Sequence, residues 1–162
     1  MGYWELVEPY WKTVNIYDAP VEFLRTFAAV PPNVQTLVAA HWCESEVSNG
    51  GLHQFFSNPT GVLAPEAALA YRALGVPELA RILDEAIAFF GREYPRDQGA
   101  RIAARTGHKG VAREQWNPFS QLDERFYEAA GSAGGQFQKD RLFLAMDDYA
   151  IRGRSNGRRT TS

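Results

Sequence analysis

Cysteine is nearly missing from this chain, and the shortage narrows the chemistry at once. With Cys43 alone among 162 residues, an internal disulfide and a multi-cysteine metal cage are both excluded. Histidine is almost as sparse: of the three present, His41 and His53 are the metal-ligand candidates, and no metal is assigned to them. Neither a phosphate-binding loop nor a nucleophile set is present, so no cofactor is expected. No apolar run approaches the roughly 20 residues that span a membrane. A charged N-terminal region followed by an apolar one is also missing. The expectation is a cytoplasmic protein with no membrane partner. Alternating apolar and polar residues, the mark of a half-buried strand, do not occur, and there is no internal repeat.

What remains is the composition of an ordinary globule, 45% hydrophobic and 13% aromatic. A chain of this length buries about two-thirds of its unfolded surface as one domain. Charge is unevenly spread. Residues 1–90 carry four Lys/Arg against ten Asp/Glu, a net of −6, and residues 91–150 balance at nine against nine. Arg152, Arg154, Arg158 and Arg159 then follow without an acid.

Helical periodicity and helix punctuation run through most of the chain. An aromatic opening, WELVEPYWKTV from Trp4, contains Pro9, which is expected to break or start a helix. Asp18 is the expected N-cap of a helix whose apolar face is Phe23, Leu24 and Phe27. Pro65-Glu66 to Gly75 and Pro77-Glu78 to Gly91 each begin with proline and an acid and end in glycine. Arg101 to Arg105 reads as a short helix. The surrounding Arg92, Arg96, Arg101, Arg105, Lys109 and Arg113 read as a solvated or salt-bridged face, with phosphate binding as the sharper alternative. Phe119 to Ala130 is expected to point Leu122 and Phe126 inward and Asp123, Glu124 and Glu128 outward. Gly131 to Gly135 forms a joint, and Gln136 to Ile151 the last helix. The expected architecture is all-α: a single compact multi-helix domain over residues 1–151, with about seven or eight helices and no significant sheet. Residues 152–162 are expected to be a disordered basic tail.

The stretch VQTLVAAHWCESEVSNGGLHQFFSN, from Val34 to Asn58, organises the rest. Val34, Leu37, Val38, His41, Trp42 and Ser45 share one helical face, and Ala39, Ala40, Cys43 and Val47 lie opposite. A helix apolar on two faces belongs inside a bundle. Asn49-Gly50-Gly51 stops it, because glycine tolerates positive φ, and Leu52, Phe55 and Phe56 resume a second helix. Glu44 and Glu46 are carboxylates beside a buried helix and need partners. They either brace backbone or face a groove. Asn49, Gln54 and Asn58 either form an amide network holding the bend or line a binding patch.

SEVSNGGLHQFFSNPTGVLAPEA, followed by LGVPELARILDEAIAFFG, YPR and LDERFY, resembles the DNA mimic protein 19-like family (domain of unknown function 4375). The resemblance runs roughly from Trp4 to Ala150, and the Glu46/Asn49-Gly50-Gly51/Gln54/Asn58 block is its most specific part. It implies a small helical bacterial protein with no established enzymatic activity. The family's naming member imitates the negative charge of DNA and occupies the DNA-binding face of a transcription regulator.

Three functions follow as expectations. The first is a non-catalytic interaction protein whose acidic surface meets a protein partner, a DNA-binding regulator in the narrower form. The second is a small-ligand binder or metal-dependent enzyme at the Glu-Val-Ser-Asn-Gly-Gly hinge, built from Glu44, Glu46, Asn49, Gly50, Gly51, Gln54 and Asn58 with His41 or His53. The third, direct nucleic-acid binding through the later arginines, is not expected.

Overall fold

The computed structural model describes residues 2–106, 117–131 and 141–157. It is all-α, and no strand occurs among the described residues. In chain order come α1 (Trp4–Trp11), α2 (Pro20–Ala29), α3 (Pro32–Ser57), a 3-10 turn (Pro59–Leu63), α4 (Ala64–Ala73), α5 (Pro77–Ala88), α6 (Gln98–Thr106), α7 (Ser120–Ala130) and α8 (Arg141–Gly157).

The hub is α3, against which α1, α2, α4, α6, α7 and α8 all pack. Its two apolar arcs explain that position. Val34, Leu37 and Val38 are buried on one side and Ala39, Ala40, Cys43 and Val47 on the other, so neighbours must cover both. Small residues on the second arc let helices approach closely. After a kink at Gly50 and Gly51, Leu52, Phe55 and Phe56 are fully buried. Phe56 meets Phe90 at 4.9 Å and Phe119 at 5.1 Å between ring centroids. Each such side chain contributes about 1.5–3 kcal/mol of burial.

Three local expectations are corrected. Pro9 does not interrupt its helix, because α1 runs through it to Trp11. Glu5 and Pro9 are both exposed, so water can serve the carbonyl that the missing N–H leaves free. Asp18 is not the N-cap of α2. That position is Ala19, with no side-chain cap, while Asp18 accepts a bond from Asn15 Nδ2 at 2.8 Å. The last helix does not stop at Ile151 but continues to Gly157. Residues 132–140, covering most of the expected joint and the expected start of that helix, lie outside the described residues, as do 107–116 and 158–162.

Candidate functional site

Backbone geometry sets the corner. Gly50 has φ −161° and Gly51 φ +71°, ψ −177°, so the helical ladder breaks there and restarts at Leu52. Gly50 is extended backbone that any residue adopts. Gly51 is different, because its positive φ disfavours a side chain. A Cβ there would also sit 2.6 Å from Asp123 Oδ2.

That close approach gives Asp123 its role. Its Oδ1 accepts from the Leu52 N–H at 2.7 Å, and its Oδ2 accepts from Asn117 Nδ2 at 3.2 Å. A carboxylate on α7 thus caps the restarted helix from across the fold, at the positive end of its dipole. The expectation that Asp123 faces outward is wrong. It is 8% exposed, and burial raises its pKa although the Leu52 and Asn117 bonds pull the other way. The signal was present in the sequence. Phe119, Asp123, Phe126 and Ala130 fall at helical spacing on one stripe, and all four are buried.

Glu46 clamps the two sides of the bend. Its Oε2 accepts from Gln54 Nε2 at 2.7 Å and Asn58 Nδ2 at 2.8 Å, and its Oε1 accepts from Thr60 Oγ1 at 3.0 Å. Asn49, grouped with these amides in the sequence, is not part of the network. It is exposed and makes no side-chain hydrogen bond to any described residue. Glu44, the other acid of the block, points elsewhere. It is buried and accepts from Ser48 Oγ at 2.7 Å. Tyr127 Oη closes the first segment by donating to the Val47 carbonyl at 2.7 Å.

The far end of the second segment is held by the basic region, which overturns the solvated reading for Arg101 and Arg105. Arg101 is 0% exposed. Its Nε donates to Phe56 O at 3.0 Å, Nη2 to Asn58 O at 2.8 Å, and Nη1 to Arg96 O at 2.6 Å and Pro95 O at 3.2 Å. Arg105 Nη1 reaches His53 O at 3.0 Å, and Gln98 Nε2 reaches Ser57 O at 2.7 Å. Helix C-terminal carbonyls lack intrahelical donors, and a guanidinium presents five in a fixed fork. Burial lowers the pKa of both arginines. In α6, whose sequence is QGARIAART, only Ile102 is a large apolar residue. A helix this polar that still packs must bury something else, which is the cue to Arg101 and Arg105. Arg96 does form the expected salt bridge, with Glu66 at 2.6 Å. Arg92 is exposed, and Lys109 and Arg113 lie outside the described residues.

The two histidines are not brought together. His41 Nδ1 lies 2.8 Å from Tyr3 Oη, inside a group of rings from α1 and α3, and burial lowers its pKa. Burial also pushes the Tyr3 hydroxyl up to about 12, with Glu44 and Asp147 adding to the effect. This pair is a hydrogen-bonded packing unit of two neutral groups. His53 is half-buried, and its pKa is lowered by burial and by the nearby Arg105 charge. Cys43 is fully buried, and burial raises its thiol to about 12, far from a reactive thiolate. Among the described residues, no three His, Cys, Asp or Glu side chains are grouped to hold a metal ion.

The acids of residues 1–90 can be accounted for in the same way. Glu22 pairs with Arg25, Glu66 with Arg96, Glu78 with Arg81 and Arg125, Asp84 with Arg72, and Glu85 with Arg125. Asp18, Glu44 and Glu46 have the hydrogen bonds given above. Glu5 and Glu8 alone have no ion-pair or hydrogen-bond partner among the described residues, and both are exposed.

These features define a class: an all-α domain built on a kinked central helix whose bend is held by carboxylates, amides and buried arginines from other elements. The chain belongs to the DMP19-like protein family, which matches it over residues 28–152. That span includes the whole corner and leaves α1 outside, a narrower reach at the N-terminus than the resemblance read from Trp4. No curated protein and no solved structure matched the chain. No helix among the described residues is long and apolar enough to cross a membrane.

Proposed function

We propose that this chain is a non-catalytic protein–protein interaction module whose acidic surface engages a nucleic-acid-binding protein, with DNA-mimic-like regulation as its narrower form. Family membership supports the reading. The observation that carries it is the engagement of Glu46 within the bend. A carboxylate accepting from Gln54, Asn58 and Thr60 has little capacity left for a metal or a substrate proton. Its partners are all parts of the bend it holds. On this reading Glu44, Glu46, Gly50, Gly51, Gln54 and Asn58 are framework, and Asn49, exposed and outside the network, is the side chain of the block most open to a partner.

The test is capture from lysate of the native host on the immobilised full chain, eluted with a salt gradient. The expected result is a stoichiometric nucleic-acid-binding protein released as ionic strength rises, because acidic attraction is screened within about 10 Å at 0.1 M salt. Glu46→Gln should lower stability by about 1–3 kcal/mol and leave capture by the folded variant intact. No retained partner, or loss of capture by a folded Glu46→Gln protein, would overturn the reading.

A further inference from the structure

The aromatic opening of the chain is not used by the corner, and it lies outside the family match. On α1, Trp4, Glu8 and Trp11 follow one another at helical spacing, with Glu5 beside them. The Trp4 ring lies 5.0 Å from Trp11 and 5.4 Å from His41, and Trp11 stacks on Trp42 at 4.9 Å. These contacts brace an indole that is still 37% exposed. The base of the helix is fixed as well, since the Tyr3 N–H donates to Asp147 Oδ1 at 2.8 Å. The result is a braced aromatic platform edged by the two acids of residues 1–90 that make no ion pair or hydrogen bond with a described residue.

We propose that this face of α1, Trp4 with Glu5 and Glu8, docks an arginine-bearing segment of a protein partner. The proposal rests on the interaction reading above and names its surface. Charge and shape select the occupant. Even with Lys12 one turn beyond Glu8, the two carboxylates leave the patch net negative, which disfavours phosphates and attracts a cation. A guanidinium stacks flat on an indole and bonds a carboxylate through two parallel N–H groups. An ammonium offers neither the plane nor the fork. A braced tryptophan also loses little side-chain entropy on binding.

Two measurements decide it. The first is fluorescence anisotropy of a labelled Gly-Arg repeat peptide against the full chain, with a Gly-Lys peptide of equal length and charge as comparison. The arginine peptide should bind saturably and about fivefold more tightly than the lysine peptide. Trp4→Ala should weaken it about fivefold, and Glu5→Gln/Glu8→Gln about tenfold; circular dichroism should be unchanged in the exposed glutamate variant and is used to confirm that Trp4→Ala remains folded. Equal binding of both peptides, or indifference to both variants, overturns the proposal. Concentration-dependent self-association abolished by Trp4→Ala also overturns it, because the occupant would then be a second copy of the chain. The second measurement is host-lysate capture by the same variants. If wild type and both variants retain the partner equally, the surface is wrong and the module reading survives. If wild type retains nothing, both fall.

Discussion

The central helix has two parts held by different physics. Residues 32–49 form a long rod buried on two sides by apolar neighbours, and such a helix is stable wherever those faces are covered. Residues 52–57 are too few to be helical alone, because nucleation costs more than six residues return. They hold their shape because both ends are bonded from outside. Asp123 caps the start, and Arg101, Arg105 and Gln98 take the closing carbonyls. The comparison shows that a short helix can be made dependable by donors and acceptors from distant segments. It also shows that a charged residue can be as much a part of the core as phenylalanine.

The contrast is broken most severely at Arg101. Replacing it with methionine keeps much of the stem and removes the donors to four carbonyls. A loss of about 3–5 kcal/mol is expected, read as a lower urea midpoint with little change in slope. A variant within 1 kcal/mol of wild type would mean that the second segment does not depend on this side chain.

The adjacent glycines sharpen the comparison. Gly51→Ala combines a positive φ with a collision against the Asp123 carboxylate and should cost about 2–4 kcal/mol. Gly50→Ala has no positive φ to strain, but its Cβ would lie 2.9 Å from the Gln54 Cβ and against the amide that bonds Glu46, so it should cost about 1–3 kcal/mol through the disturbed clamp. Equal effects in thermal melts would show that the strain is not localised at Gly51.

The smallest expected effect is in the first rod. Burial lowers the pKa of His41 below its ordinary 6.5, so the unfolded chain binds this proton more readily than the folded one. The stability contributed by neutral His41 is therefore full above pH 6.5 and is lost as pH falls through the depressed folded value. The slope is at most about 1.4 kcal/mol per pH unit. His53 is shifted in the same direction and adds to it. Denaturant melts from pH 7.5 to 5 should show the decline, and His41→Gln should flatten part of it. An unchanged profile in that variant would remove His41 from the account.

Much of this fold was legible in the order of residues. The all-α class, the helices bounded by proline and glycine, and the two-faced character of the Val34–Asn58 stretch all follow from local propensities and periodicity, which a chain carries in its own spacing. So did the break at Gly50-Gly51, because glycine's tolerance of positive φ is a local property. Partner choice was not legible. Asp123 and Leu52 are 71 residues apart, and Arg101 and Phe56 are 45 apart. Nothing in sequence spacing says which distant carbonyl an arginine will meet. Polarity pointed those side chains toward water, and for Asp123 only the stripe it shares with Phe119 and Phe126 spoke against that. Only the tertiary structure could turn them inward, because only there are enough unsatisfied backbone groups brought together to offset the desolvation of a buried charge.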